Sequence, residues 1–559
     1  MLTDSKISNV PSRRKQLMAT FNASILPLPA VSPAGTAATL GVSAPPGSIG
    51  LCLSGGGSRA LTCAMGQLRA LHTLGLIDQL FAISSVSGGT WANSLYTYLP
   101  ASISDEDFLG AAVLDPSRLT VTGSLPHALD QLTPNNLGKV PGGLSVLRDI
   151  DEILRLKFEW GYPNSELWQG LIGHSVLRAF GLWQPDPKAS NFDKHWFSWT
   201  DAFLKLPNGT LARNPGLRAS DFYTVKRQRP FMIFNTALFT DDSTSADLLP
   251  FEANFMLGVR QPFPSGGSPS IGGGFMDSFA MAGSWLKDLP GNRISVAAPA
   301  RNYTLADIVG SSSAAFAQEL EERYTELSGL VPSYAYFPIA EREGVPAKPF
   351  RFADGGSLEN LGLNVMLARG VARLLVGINT DEGIRQVGND IVVSSDLPPL
   401  FGLQPWVEGK GYVPYSSDSG TGAVRLFRHN QVFPTSSFSA LQQALWDKRS
   451  KGLPVVVRQR LPVLCNPWYG IPGDTEVDLL WMYNDQVESF WSQLSLEVQL
   501  AIDVAGELQF PLYNTFTQLE LDAVAVNALA HLWCWNLAAD WKADPKSPSN
   551  ADLVRGMFS

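Results

Sequence analysis

Apolar and polar positions near the start of the chain fall into two successive units of one kind. Ile49-Gly-Leu-Cys-Leu53 is a short unbroken apolar run, the pattern of a strand buried on both faces. Ser54-Gly-Gly-Gly57 then turns the chain. A helical period follows from Ser58 to about Leu74, with Leu61, Met65, Leu68 and His72 along one stripe. The pattern repeats: Phe81–Val86 predicts a strand, Ser87-Gly-Gly89 a tight turn, and Thr90 to about Leu99 a helix. Two consecutive strand–turn–helix units predict an α/β fold with a parallel sheet.

Strand-like runs resume at Pro230–Phe239, Arg351–Asp354 and Arg373–Asn379, and Leu453–Arg460 with Val477–Tyr483 reads as a hairpin-like pair before amphipathic helices to the end. Between about residues 100 and 229 the pattern is irregular and rich in tryptophan (Trp160, Trp168, Trp183, Trp196, Trp199), which reads as an insertion. This region and Pro262–Met281, with its Gly272-Gly-Gly274, are candidate lid and acyl-pocket elements, ordinary core packing being the alternative. Residues 1–48 are expected to be a flexible arm, since 23–48 are rich in Pro, Ala, Ser and Gly. No repeat or linker follows Ile49. One unit over 49–559, elaborated over about 401–559, is therefore expected.

Composition narrows the classes. The 559 residues carry a net charge of −9 with no long Lys/Arg run, which argues against sequence-independent nucleic-acid binding. Hydrophobic residues at 45% are ample for a large core. Cys52, Cys63, Cys465 and Cys534 lie far apart without a CxxC pair, which argues against a disulfide scaffold or zinc ribbon. Arg13-Arg14-Lys15 before Gln16–Ala30 is a weak match to a secretory signal, interrupted by Asn22, Ser24, Pro27 and Pro29. Ala523–Ala539 is apolar, but Asn527, His531 and Asn536 and an N-capping Asp522 favour a buried helix over a membrane span.

Three motifs carry candidate chemistry. Glycines between strand and helix, as in Ser54-Gly55-Gly56-Gly57-Ser58-Arg59, let backbone N–H groups converge on an anion. A Walker loop needs a Lys-Ser/Thr that is missing here. Gly55-x-Gly57-x-x-Ala60 fits a dinucleotide fingerprint superficially, but Ser84–Ser87 stands where that fold needs an acid. An oxyanion hole or a plain structural turn remains. Ser85-Val86-Ser87-Gly88-Gly89 has the form of a nucleophile elbow, with Ser85 where glycine is usual. Gly310-Ser-Ser312-Ser-Ala314 is a rival. A serine nucleophile needs a base, and none of His72, His127, His174, His195, His429 and His531 sits at a clear strand end beside an acid. Asp354, which ends Phe350-Arg-Phe-Ala353 and opens Asp354-Gly-Gly-Ser-Leu-Glu-Asn360, does occupy a strand end; a capped turn is its bland reading.

The ordered set, Ser-Gly-Gly-Gly-x-Arg, a serine elbow and a distant Asp-Gly-Gly, resembles the patatin and cytosolic phospholipase A2 superfamily. Phe234-Asn-Thr-Ala237, Phe251-Glu252, Ser311-Ser-Ser-Ala-Ala-Phe316, Glu359-Asn-Leu361 and Arg369-Gly-Val371 extend the likeness over roughly 49–380, and Ser87-Gly-Gly-Thr-Trp91 looks closer to the cytosolic branch. The resemblance implies a mostly parallel central sheet flanked by helices, with lid and cap insertions, and a catalytic role for 49–559. It implies a Ser87–Asp354 dyad without histidine, an oxyanion hole from Gly55, Gly56, Gly57 and Gly88, and Arg59 and, more weakly, Arg369 as phosphate or loop ligands. The implied activity is acyl-ester hydrolysis of phospholipids or lysophospholipids at a membrane or micelle surface. No metal, organic cofactor or obligate protein partner is implied. The implied location is cytoplasmic, with peripheral membrane association, or alternatively secreted. A general or neutral-lipid esterase and a non-catalytic lipid-binding protein are the competing readings.

Overall fold

The computed structural model describes residues 20–28, 43–144, 146–185, 192–241, 246–264, 270–323, 328–416, 422–515 and 517–559. Its centre is a fourteen-stranded sheet. In chain order the strands are β1 (Thr20–Pro27), β2 (Ile49–Leu53), β3 (Ala82–Val86), β4 (Phe231–Phe239), β5 (Leu248–Ala253), β6 (Met256–Val259) and β7 (Gly274–Asp277). Then come β8 (Ser284–Leu289), β9 (Arg293–Ala297), β10 (Ser333–Tyr336), β11 (Lys348–Asp354), β12 (Arg373–Ile378), β13 (Val456–Val463) and β14 (Thr475–Tyr483). The lateral order is β8-β9-β1-β7-β6-β5-β4-β3-β2-β12-β14-β13, with β10 and β11 attached through β4. The strands β4, β3, β2, β12 and β14 run parallel. The ladders outside that centre are antiparallel, so the expected parallel sheet is the middle of a mixed one.

Both strand–turn–helix units form as the periodicity dictates. Strands β2 and β3 are buried throughout and lead into helices α1 (Gly57–Thr73) and α2 (Gly88–Thr97). Parallel strands covered on both faces have no solvent side, which is why neither shows polar alternation. The C-terminal hairpin forms as β13 and β14, and β14 extends the parallel centre beside β12. The apolar stretch at 523–539 is a buried helix packed on α1, and no helix among the described residues is long and apolar enough to cross a membrane.

The expected arm needs correction at residues 20–27. They form β1, wedged antiparallel between β9 and β7, with the Ser24 N–H on Asp277 at 2.7 Å and the Asn22 N–H on Asn214 at 2.7 Å. Its stability comes from pairing with remote strands, which local composition does not reveal. Residues 1–19 and 29–42 of that arm lie outside the described residues. In the 100–229 region Trp168, Trp183 and Trp196 are buried in the core, and Trp160 and Trp199 pack against it. The Pro262–Met281 stretch contributes β7 and a short hairpin, with Phe279 and Met281 buried; its residues 265–269 are outside the described set.

Candidate active site

Strand β4 brings together two segments that are remote in the chain. One edge of β4 is taken by β5 from Phe234 to Phe239. The other edge is shared. Strand β3 occupies it in parallel and ends with Val86 opposite Asn235, while β11 arrives antiparallel from the far end and stops with Asp354 opposite Thr236. Two strands therefore meet head to head along one edge, and Ser87 and Asp354 are the residues at the meeting point. The Ser87 side chain stands beside the Asp354 carboxyl and favours its charged form.

Local backbone geometry explains why this hydroxyl is available. Ser87 stands at the N-cap of α2, where a serine ordinarily caps the first-turn amides from a β-region backbone. Here φ is 50° and ψ −122°, and the side chain makes no cap bond. Such a conformation costs a non-glycine residue about 1–3 kcal/mol and persists only where its surroundings impose it. The Ser87 N–H donates to Ser312 at 3.1 Å, at the end of helix α3 (Leu305–Ser312). The Thr90 and Trp91 N–H groups hold the Ser87 carbonyl at 2.8 and 3.1 Å. Beneath it, Asn235 Nδ2 donates to Ser84 Oγ and the Ser85 carbonyl, tying β3 to β4 just before the turn.

Asp354 accepts from the Gly356 N–H at 2.7 Å and the Ala315 N–H at 3.4 Å. Burial nevertheless raises its carboxyl to about 6, because desolvation of the charged form outweighs these donors and Ser87. Just beyond, buried Glu359 accepts the N–H groups of Leu361, Leu363 and Asn364 and so fixes the loop after Asp354; burial raises it to about 7.

The glycine loop sits directly on the elbow. A Cβ at Gly88 would lie 2.1 Å from the Gly57 carbonyl oxygen, so the two turns touch backbone to backbone. Gly56 has a φ of 128°, closed to side-chain-bearing residues, and starts α1 without a side-chain cap. The amides of Gly56, Gly57 and Gly88 stand at helix starts, where no intrahelical acceptor exists. Gly88→Ala is expected to cost on the order of 3 kcal/mol, since the obstructing atoms are backbone and cannot rotate away. Chemical denaturation of the variant beside the parent checks this.

Four of the residues singled out by sequence make contacts that narrow their parts. The Gly55 N–H is committed to the Asn360 carbonyl at 3.1 Å, which removes it from the oxyanion donors. Arg59 is buried, and its guanidinium donates to the carbonyls of Asn379 (2.8 Å) and Tyr513 and meets Thr515 Oγ1 (3.3 Å) and Asp381 (3.4 Å). It braces the loop rather than facing a substrate. Arg369 is corrected more sharply: its side chain is 0% exposed and paired with Glu252 inside the core, out of reach of a substrate phosphate. Ser312, the rival nucleophile, is fully buried, with its hydroxyl 2.6 Å from the Asn235 carbonyl; it supports Ser87.

The histidines are engaged elsewhere. His127 pairs with Arg118, His174 with Glu152, His195 with Asp193 and His531 with Arg69; His429 stacks on Trp468, and His72 is exposed. Sequence reasoning missed Asn360 and Thr515. Thr515 Oγ1 donates to the Gly56 carbonyl at 2.6 Å, and a Cβ on Gly57 would meet its methyl at 2.1 Å. Asn360 also donates to half-buried Asp396 at 2.9 Å. Asn360 was readable only as part of a quoted motif, and nothing in the sequence marks Thr515.

No family model matches the chain. It is 32% identical over 131 residues to human cytosolic phospholipase A2 beta and 30% identical over 133 residues to human cytosolic phospholipase A2 delta, 23% of this chain in each case. The matched segments span only 15% and 14% of those relatives. Among solved structures, human GIVD cytosolic phospholipase A2 aligns over 91% of this chain and 60% of its own, with 12% identity and a TM-score of 0.45. Its complex with methyl gamma-linolenyl fluorophosphonate aligns over 91% and 59%, with 13% identity and a TM-score of 0.40. By its two sequence matches the chain is related to the cytosolic phospholipases A2 over those segments.

Proposed function

We propose that the chain is a serine acyl hydrolase that cleaves fatty-acyl esters of phospholipids or lysophospholipids, with Ser87 as nucleophile and Asp354 as its base. The observation that carries the reading is a strained, uncapped Ser87 set where β3 ends against the end of β11, beside an Asp354 carboxyl that burial raises toward neutrality. At pH 7 a group titrating near 6 is roughly nine-tenths ionised. It can then accept the Ser87 proton as Oγ attacks the acyl carbonyl. The amides of Gly56, Gly57 and Gly88 are the donors suited to the developing oxyanion. Asp354 next protonates the departing glycerol oxygen, and water, deprotonated by the same carboxylate, releases the fatty acid and regenerates Ser87.

Two features favour this reading over a dinucleotide site. The turn after β3 carries a serine where an acid would be needed, and the glycine-loop amides border a hydroxyl. The similarity to phospholipases A2 favours a phospholipid acyl ester over a short ester.

A fluorophosphonate probe tests the reading, because only an activated serine reacts. Mass spectrometry is expected to find the adduct on Ser87. The labelling rate should fall about tenfold per pH unit below about 6, as Asp354 protonates. A folded protein that leaves Ser87 unmodified, or a rate indifferent to pH between 4 and 8, would overturn it.

A further inference from the structure

Helix α4 (Leu496–Ala505) is apolar on two sides, and only one of them is covered. Val498 and Ile502 are buried toward helix α5 (Ala523–Ala538). Leu496, Leu500 and Val504 recur every fourth residue, which aligns them on one stripe. They are 70%, 56% and 80% exposed, and Leu508 just beyond is 80% exposed. Glu507 and Leu508 both have positive φ, 49° and 63°, a region that bulky L residues avoid. A continuous run of bare aliphatic side chains of this kind marks an interaction surface.

A cavity of about 300 Å³ opens beside the end of the stripe, lined among others by Glu488, Trp491, Asp503, Leu508 and Phe510. The Trp491 and Phe510 rings lie 5.7 Å apart at 32°. Among the described residues neither Glu488 nor Asp503 forms an ion pair, and the nearby Arg449 is already held by Asp485 at 2.8 Å and Gln486 at 2.9 Å. Aromatic faces beside unneutralised carboxylates suit an ammonium group. The chain running on from Phe510 supplies the Tyr513 carbonyl to Arg59 and Thr515 to the glycine loop.

We infer that α4 and Leu508 dock the protein on a zwitterionic phospholipid surface, with the ammonium of a headgroup entering the cavity beside Trp491 and Phe510. The choice of occupant rests on the hydrolase reading above. The acidic lining and the net charge of −9 disfavour an anionic surface, so headgroup selectivity follows from the same geometry.

Co-sedimentation with phosphatidylcholine and with phosphatidylglycerol vesicles tests this in the Ser87→Ala background, so that binding is read independently of hydrolysis. Phosphatidylcholine vesicles are expected to be preferred. Leu500→Ser with Val504→Ser should lower that partitioning at least ~10-fold while leaving thermal unfolding unchanged, because both side chains are already in water. Glu488→Gln with Asp503→Asn should narrow the preference over phosphatidylglycerol. Equal binding of parent and Leu500→Ser/Val504→Ser protein would overturn the inference. So would a parent that binds neither vesicle, or one that self-associates in solution through this face and loses that association in the same variant. None of these results touches the hydrolase reading, which stands or falls on the labelling of Ser87.

Discussion

Ser87→Ala is expected to abolish release of fatty acid from phospholipid, with a loss of at least ~10⁴-fold in kcat/KM, because among the described residues no other hydroxyl or thiol meets Asp354. The variant should fold as the parent does. Alanine also carries a Cβ, so the backbone at φ 50° is no more strained than before, and the Ser312 contact to the Ser87 amide does not involve the lost hydroxyl. Ser312→Ala is the informative partner. Its hydroxyl is buried against Asn235 and Thr90, so its removal should lower the rate by loosening the elbow while the adduct with a fluorophosphonate still forms on Ser87. Substantial hydrolysis by Ser87→Ala, lost only on further change of Ser312, would reverse the assignment. Initial rates on phospholipid with the four combinations of these residues decide it.

Asp354→Asn should cost about 10⁴-fold as well, since the amide can accept a hydrogen bond from Ser87 but cannot hold its proton. This variant also carries a stability signature. The carboxyl is about 6 in the folded protein against an ordinary 3.8, so the folded state binds the proton more tightly than the unfolded chain. That contribution to stability is fully present below about pH 4 and is lost as the pH rises through 6, a difference of about 3 kcal/mol at the upper end. Asparagine does not titrate. The stability of the variant relative to the parent is therefore expected to rise between pH 4 and 6 and to level off above. Glu359 and Asp396, which burial also raises, titrate in both proteins and cancel in the comparison. Denaturant melts of both proteins across that range measure it. A flat difference would mean that Asp354 is not held up by its surroundings.

Strand β2, strand β3, their two helices and the turns between them were legible because each is encoded locally. Unbroken apolar runs mark strands covered on both faces, and glycine or serine before a 3.6-residue period marks where a helix begins. Ser87 and Asp354 were legible as candidates for the same reason, since each ends an apolar run at a sharp turn. The side-chain commitments of charged residues were not. Arg59 and Arg369 looked alike in sequence as cations near motifs, yet one braces the glycine loop and the other is sealed against Glu252. Gly55 stood in the same triplet as Gly56 and Gly57, but its amide is spent on Asn360. Which acceptor a donor finds depends on residues hundreds of positions away, and local pattern holds no record of them.

The sequence by itself determined the α/β grammar, the elbow, the glycine loop, and a serine and an aspartate at strand ends. Tertiary structure alone decided that those ends meet. That outcome depends on the edge of β4, which β3 leaves at Asn235 and β11 fills at Thr236, a matter of register between strands that no local periodicity specifies. The same holds for β1, which is a strand only because β7 and β9 flank it, and for Thr515, whose place against Gly57 is set by packing of the C-terminal region onto the first helix.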